Sequence, residues 1–203
     1  MPEWDRKALE VLREPLESGT VTVSRAARSS EFPARFQLVA AMNPCPCGWA
    51  GDPSGRCRCS PEHIRRYRAR ISGPLMDRID LHIEVPRLPP QDLRPDAPNG
   101  EATFLIRARV EQARTVQLQR TGKANAQLGQ AETMAFCRLQ DRDQALLERA
   151  IERLQLSARS MHRILRVART IADLAGAEDI ATPHLTEALG YRRMDRGQGQ
   201  QAA

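Results

Sequence analysis

The chain has 203 residues, of which 41% are hydrophobic and 28% are charged. This composition supports one sizeable core or two small ones and excludes a chain that is disordered throughout. No apolar run approaches the length of a transmembrane helix, and MPEWDRKALE at the N-terminus lacks the apolar segment of a signal peptide, so we expect a cytoplasmic protein without a membrane partner. The formal charge of +6 and the isoelectric point near 9.5 favour polyanionic partners.

The first stretch of the chain predicts a helix followed by a hairpin. Apolar residues recur at helical spacing over 4–16. The alternating segment TVTVSRA then predicts a strand, and with the turn-like SSEFPA it predicts a hairpin over 20–35. Arg25 and Arg28 lie on this hairpin.

A nearly continuous apolar run from Phe36 to Met42 predicts a strand that is buried on both faces. It ends at Asn43, which precedes a proline. A polar residue at the carboxyl end of a buried strand is a candidate ligand contact, and the alternative is that Asn43 only caps the following turn.

Four cysteines follow as two CxC pairs separated by nine residues of turn-like composition. If the pairs fold together, their thiolates offer a tetrahedral zinc site, with His63 as a substitute ligand. The spacing differs from the usual CxxC knuckle, so four reduced thiols without a metal are the alternative. The candidate zinc ligands are Cys45, Cys47, Cys57 and Cys59. The fifth cysteine, Cys137, is interpreted as a small core residue.

The segment EHIRRYRARI after Pro61 predicts a basic helix. Its candidate nucleic-acid contacts are Arg65, Arg66 and Arg70.

A second strand is predicted over Leu81–Val85. Just before it, Arg78 stands between two aspartates, and an ion pair with Asp77 or Asp80 is the local alternative to a functional role.

Five prolines in 86–100 predict a semi-extended linker, and helical patterns follow over 101–120, 141–154 and most clearly 159–175. In this last helix Arg159, Arg163 and Arg166 lie opposite the apolar arc, where we expect them to face solvent. The sequence therefore divides into four parts, namely 1–86, a linker over 87–100, a helical domain over 101–191 and a disordered tail over 192–203.

Several long motifs resemble the magnesium chelatase-related AAA+ ATPases of the ComM/YifB competence type. They are FQLVAAMNPCPCG, the CRC pair, RYRARISGPLMDRIDLHIEVP and LSARSMHRILRVARTIADLAG. The resemblance covers almost the whole chain. It implies an α/β fold, the C-terminal part of an AAA+ P-loop NTPase core with a cysteine-containing insertion, followed by an all-helical lid domain.

The resemblance also implies roles for residues at matching positions. Asn43 matches the sensor 1 residue, Arg78 the arginine finger and Arg159 the sensor 2 arginine of the lid, so Asn43 and Arg159 would contact the nucleotide. Hairpin insertions of this family face the pore of a ring and contact nucleic acid, which would place Arg25 and Arg28 there; a solvated turn is the alternative.

One departure from the family limits these implications. The sequence contains no GxxxxGK[ST] motif and no segment matching the Walker B strand, so no residue is assigned to the β- and γ-phosphates or to Mg²⁺. We therefore expect the chain to be inactive by itself, although its family hydrolyses ATP.

The resulting hypothesis is part of a homo-oligomeric ring, a hexamer by resemblance, that uses ATP and Mg²⁺ to remodel DNA, as in branch migration during natural transformation. The alternative is a zinc-containing, arginine-rich nucleic-acid-binding adaptor without ATPase activity. A tetrapyrrole magnesium chelatase subunit is disfavoured, because the cysteine block belongs with the competence-type branch.

Overall fold

The computed structural model describes residues 1–25, 28–98 and 100–192. The chain divides into two compact units, Met1–Ile79 and a second unit that begins at Asp80. Among the described residues the regular structure is mainly helical, with one two-stranded sheet. The predicted tail, apart from Arg192, lies outside the described residues.

The first unit opens with two short helices, α1 (Arg6–Val11) and α2 (Arg13–Ser18), where the sequence predicted one. Pro15 explains the break, because it has no N–H to donate to the carbonyl of Val11 and its ring crowds that carbonyl. α2 ends at Gly19, whose φ of +73° is a left-handed conformation that favours glycine.

The predicted hairpin is confirmed. Strands β1 (Thr20–Arg25) and β2 (Arg28–Pro33) pair antiparallel, with Thr20 opposite Pro33 and Arg25 opposite Arg28. Both strands are largely exposed.

The other two predicted strands are wrong. The segments 36–42 and 81–85 run without strand hydrogen bonds and are mostly exposed, with Val39 83% and Val85 86% accessible. A strand requires a neighbour that completes its hydrogen-bond ladder, and within the described ranges the only paired strands are β1 and β2. An apolar run fixes neither the partner nor the ladder.

Two more helices complete the first unit, α3 (Pro61–Arg68) and α4 (Gly73–Met76). The hydroxyl groups of Ser60 and Ser72 cap their first turns. The helix predicted after Pro61 is therefore confirmed. The small core of this unit consists of Leu9, Ile71 and Leu75, with Met1, Leu12, Leu16, Met42 and Met76 packed around it.

The described part of the second unit is helical. Its helices are α5 (Thr103–Thr121), α6 (Gln130–Phe136), α7 (Asp141–Leu154), α8 (Ala158–Leu174) and α9 (Thr182–Gly190). The helical patterns predicted over 101–120, 141–154 and 159–175 are confirmed by α5, α7 and α8, whereas α6 was not predicted. Short 3-10 helices occur at Pro90–Leu93 and Asn125–Gln127. The central helix α8 supplies Ile164, Leu165, Ala168 and Ala172 to a core that also contains Cys137, as predicted.

A buried polar network ties α5 to α8. The carboxylate of Asp173 is inaccessible to solvent and pairs with the guanidinium groups of Arg120 and Arg169. The Asn125 side-chain amide donates to the same carboxylate at 2.7 Å. Because every partner of this buried charge is in place, the network holds the two helices in one register.

Within the described ranges, no helix has both the length and the apolar content needed to cross a membrane.

Candidate functional site

Four thiols converge in the loop between β2 and α3. Their sulfur atoms all lie within 4.8 Å of one another. The Sγ of Cys45 lies 3.3 Å from that of Cys47 and 3.8 Å from that of Cys57, and the Cys47 and Cys57 sulfurs are 3.7 Å apart. A tetrahedral zinc site with bonds of about 2.3 Å separates its sulfurs by about 3.8 Å. The four cysteines are therefore close enough to ligate one metal ion together, and all are free of disulfides.

The loop geometry explains how two CxC pairs meet. The N–H of Gly48 donates to the carbonyl of Cys45 at 3.0 Å, and Gly48 has a φ of +79°, which closes a tight turn behind the first pair. The N–H of Ala50 donates to the Cys45 sulfur at 3.3 Å. Such N–H groups stabilise thiolates, as the outer partners of metal ligands do. Arg56 stacks over the Trp49 ring at 4.9 Å and closes the loop.

The thiols differ in acidity because of their surroundings. A backbone hydrogen bond from Trp49, followed by the thiol of Cys45, lowers the pKa of Cys47 to about 6. A backbone hydrogen bond with Cys47 favours the thiolate of Cys59, but the Cys47 side chain, burial and the nearby Cys45 together outweigh it and raise the pKa of Cys59 to about 11. Thiolates this close repel one another, so full ionisation of the cluster requires a cation.

The four cysteines differ in their exposure to solvent, so a metal ion could reach the cluster through its exposed members. Cys45 is fully buried, Cys47 is exposed, and Cys57 and Cys59 are half-buried. Among the described residues the cluster comprises these four cysteines, and His63, the predicted substitute ligand, is not in it.

Asn43 lies two residues before the cluster and is exposed. Its backbone faces the phenol oxygen of buried Tyr67 on α3. That hydroxyl donates to the carboxylate of Glu3 at 2.7 Å. Burial and then this carboxylate raise the pKa of Tyr67, and the Asn43 backbone acts in the opposite direction. Next to Asn43, the carbonyl of Pro44 accepts a bond from Arg68 Nε at 3.2 Å.

Arg78 is engaged inside the first unit. Its guanidinium pairs with Glu17 of α2 and donates to the Pro74 carbonyl at 2.6 Å, and its side chain is 10% exposed. The sequence suggested Asp77 or Asp80 as the local partner and gave no signal for Glu17, which lies 61 positions away. The surrounding groove is lined by Glu10, Arg13, Glu14, Glu17 and Ser18.

Arg159 lies in the first turn of α8 and is exposed. The expectation of solvent-facing arginines is wrong for the other two. Arg163 is buried and its guanidinium binds the carboxylate of Asp80 at 2.6 Å. Arg166 is partly buried and donates to the Leu128 carbonyl at 2.9 Å. Helical periodicity gives the face of each arginine, but the partners that cover that face come from distant positions.

The candidate nucleic-acid contacts occupy two places in the first unit. Arg25 and Arg28 are exposed and directly opposite each other, at the end of β1 and the start of β2.

On α3, Arg65 and Arg66 are 58% and 74% exposed, and Glu62 pairs with both. Arg70 lies beyond the end of α3 and uses one guanidinium nitrogen to hold the carbonyl of Pro2 at 3.1 Å.

Comparison with known proteins defines the class. Residues 1–93 match the model of magnesium chelatase subunit ChlI, and residues 100–192 match that of the ChlI C-terminal region. The chain is 51% identical over 197 residues to competence protein ComM of Haemophilus influenzae and 45% identical to the uncharacterized protein YifB of Escherichia coli. Both alignments cover 97% of this chain. It is also 39% identical to the uncharacterized protein Rv2897c of Mycobacterium tuberculosis, over 94% of the chain.

This protein belongs to the magnesium chelatase ChlI-related family, in its ComM/YifB group, as the motifs indicated. The chain spans 38% of the length of each of these relatives.

Proposed function

We propose that this chain is the C-terminal part of an AAA+ ATPase that couples ATP hydrolysis with Mg²⁺ to the remodelling of DNA. In this proposal the intact protein works in the cytoplasm as a homo-oligomeric ring, a hexamer. The observation that carries it is the match to a competence protein at 51% identity over 97% of the chain. Because the motifs resemble those of competence-type members of this family, we take branch migration during natural transformation as the proposed activity.

Three residues take part in the proposed nucleotide chemistry. Asn43 orients the attacking water or the γ-phosphate, and Arg159 contacts the phosphates from the lid. Arg78 acts on the nucleotide of a neighbouring subunit, where its charge stabilises the transition state. The pairing of Arg78 with Glu17 supports this role, because a carboxylate keeps the guanidinium in place until a phosphate replaces it.

The proposed cofactor of the cysteine cluster is Zn²⁺. The sulfur separations support it, and four thiolates around Zn²⁺ need no further ligand. Elemental analysis of the purified chain is expected to find about one zinc per chain. Cys47→Ser should lower both zinc content and thermal stability, whereas Cys137→Ser should keep the zinc because Cys137 is not part of the cluster.

The proposed DNA contacts are the hairpin and α3. Like charges placed opposite each other, such as Arg25 and Arg28, destabilise a hairpin unless an anion lies between them. A phosphate backbone passing the hairpin turn supplies that anion. Arg65, Arg66 and Arg70 extend the basic surface of the same unit.

The test uses a full-length relative that contains a Walker A motif. Arg78→Ala there should reduce ATP turnover roughly 10³- to 10⁵-fold while nucleotide binding persists. Arg153→Ala is the matched control, because Arg153 is exposed at the end of α7. Mixing an Arg78→Ala subunit with one that lacks the Walker A lysine should partly restore turnover, since each interface needs one contribution from each side.

The second candidate is a zinc-containing adaptor that binds nucleic acid without ATPase activity. The cysteine cluster and the neighbouring exposed arginines favour it, because neither requires a nucleotide. If Arg78→Ala leaves hydrolysis intact but abolishes DNA binding, Arg78 belongs to the basic surface, its role as an arginine finger is refuted, and the adaptor is favoured as the function of this part of the protein.

A further inference from the structure

Along the chain, the cysteine cluster lies between the segment that contains Asn43 and helix α3. Cys45 is two residues after Asn43, and Cys59 directly precedes Ser60, which caps α3. A metal bound to both cysteines therefore ties the end of the Asn43 segment to the start of α3, and residues 46–58 form the loop that it closes.

Two further contacts link the Asn43 segment to α3. The Asn43 backbone faces the hydroxyl of Tyr67, and the Pro44 carbonyl binds Arg68 at 3.2 Å. Both partners are on α3, so its orientation decides where Asn43 lies. Tyr67 is itself fixed by burial and by its 2.7 Å bond to Glu3.

Without a metal, turn hydrogen bonds and the Arg56–Trp49 contact shape the loop itself, and the bond from Arg68 to the Pro44 carbonyl links its start to α3. Arg68 is exposed, and an exposed hydrogen bond contributes little. The small core beneath includes Leu9, Ile71 and Leu75 but none of the residues of the loop. A metal bound to the cluster would close this loop as a crosslink does and would add order to residues 43–60.

We infer that metal occupancy of the four-cysteine cluster is the latch that holds Asn43 against α3, with Tyr67 as the positioning residue between them. The inference rests on the zinc site proposed above and deepens the proposed role of Asn43. It makes nucleotide sensing by Asn43 in the intact protein dependent on zinc. Tyr67 acts through Asn43 and is not itself catalytic.

Selective labelling tests the latch in this chain without any ATPase assay. The sequence contains three asparagines, Asn43, Asn99 and Asn125, so a chain labelled with ¹⁵N-asparagine gives few amide resonances. The Asn43→Gln variant identifies the Asn43 resonance. Asn125 is buried in the second unit and serves as the internal control.

Removal of zinc with EDTA should move the amide chemical shift of Asn43 to its random-coil value. The amide chemical shift of Asn125 should not change. Re-addition of Zn²⁺ should restore the spectrum. Trypsin provides a second measurement, because cleavage after Arg56 and Arg58, which alternate with two of the ligands, should accelerate at least tenfold on zinc removal.

The Tyr67→Phe variant separates the latch from the metal site. It should keep about one zinc per chain, as for any intact four-thiolate site, while its Asn43 resonance shifts. Tyr191→Phe is the matched control, because Tyr191 is the other tyrosine and binds Glu187 in the second unit at 3.0 Å. It should change neither the zinc content nor the Asn43 resonance.

The outcomes distinguish the two proposals. A chain that binds no zinc overturns both the zinc site and the latch. A chain that binds and releases zinc while the Asn43 resonance stays unchanged overturns the latch alone. A shift of Asn43 on zinc release supports the latch whether or not Asn43 later proves to act as a sensor.

Discussion

Arg163 of α8 forms an ion pair with Asp80, at 2.6 Å between guanidinium nitrogen and carboxylate oxygen. The Arg163 side chain is only 9% exposed, whereas that of Asp80 is 47% exposed. Asp80 follows Arg78 by two residues, and Arg163 follows Arg159 by one helical turn. This pair therefore anchors the first residue of the second unit to the helix that carries the proposed sensor 2 arginine.

We predict that Arg163→Ala destabilises the second unit by about 1–2 kcal/mol, through loss of a charged hydrogen bond and of buried side-chain packing. The measurement is urea denaturation followed by circular dichroism. Arg153→Ala, at an exposed position, should change the free energy of unfolding by less than about 0.5 kcal/mol.

A double-mutant cycle isolates the ion pair from the packing. Asp80→Ala combined with Arg163→Ala should give a coupling free energy of about 0.5–1 kcal/mol, because water partly screens Asp80. A coupling near zero would show that Arg163 stabilises the fold by packing alone.

The second prediction concerns Asp173, whose buried carboxylate has three partners. Asp173→Ala leaves the charges of Arg120 and Arg169 without their common partner and should cost about 3–5 kcal/mol. Because a domain of this size is stable by only about 5–15 kcal/mol, the melting temperature of the second unit should fall steeply or its helical signal should be lost. Asp179→Ala, at an exposed site, is the control and should melt like the wild type. A small effect at Asp173 would mean that water reaches the arginines.

The third prediction concerns the buried thiol of Cys137. Burial raises its pKa to about 11, and the nearby Arg169 and Arg120 oppose this rise only in part. At pH 8 only about one thiol in a thousand is then ionised, against about a quarter for an ordinary thiol of pKa 8.5. Iodoacetamide should therefore modify Cys137 at least 100-fold more slowly in the native chain than in urea, measured by peptide mass spectrometry.

The raised pKa of Cys137 also makes the stability of the second unit depend on pH. The folded-state pKa of Cys137 lies above the unfolded value, so its contribution to stability is complete below about pH 8.5 and is lost as the pH rises toward 11. Cys137→Ala should remove this alkaline component from the unfolding curve. Equal alkylation rates in native and unfolded chains would contradict the burial of the thiol.

The fourth prediction is that the purified chain does not hydrolyse ATP. The sequence has no GxxxxGK[ST] motif, and a sensor, a finger and a lid act only on phosphates that other residues hold. Phosphate release should equal that of buffer at every ATP concentration, and calorimetry should detect weak binding at best. Saturable micromolar ATP binding with turnover would refute both this prediction and the proposed division of roles.

Local sequence chemistry determined a large part of this molecule. The alternation of TVTVSRA predicted the hairpin, Pro61 at a helix start predicted α3, and apolar periodicity predicted α5, α7 and α8. The two CxC pairs predicted the convergence of four thiols, because glycine-rich turns bring cysteines together over a short stretch of chain. The long motifs were sufficient to indicate the family, since they extend over almost the whole chain.

Only the tertiary structure decided which strands pair and which groups bind the buried side chains. The apolar runs at 36–42 and 81–85 have strand composition, yet they form no ladder because a strand needs a neighbour that its own residues do not specify. Arg163 and Arg166 were expected in solvent, but carboxylate and carbonyl groups from distant positions cover them. The pairing of Arg78 with Glu17 and of Tyr67 with Glu3 joins residues more than 60 positions apart. Periodicity describes one element at a time, whereas burial and charge pairing depend on which elements meet.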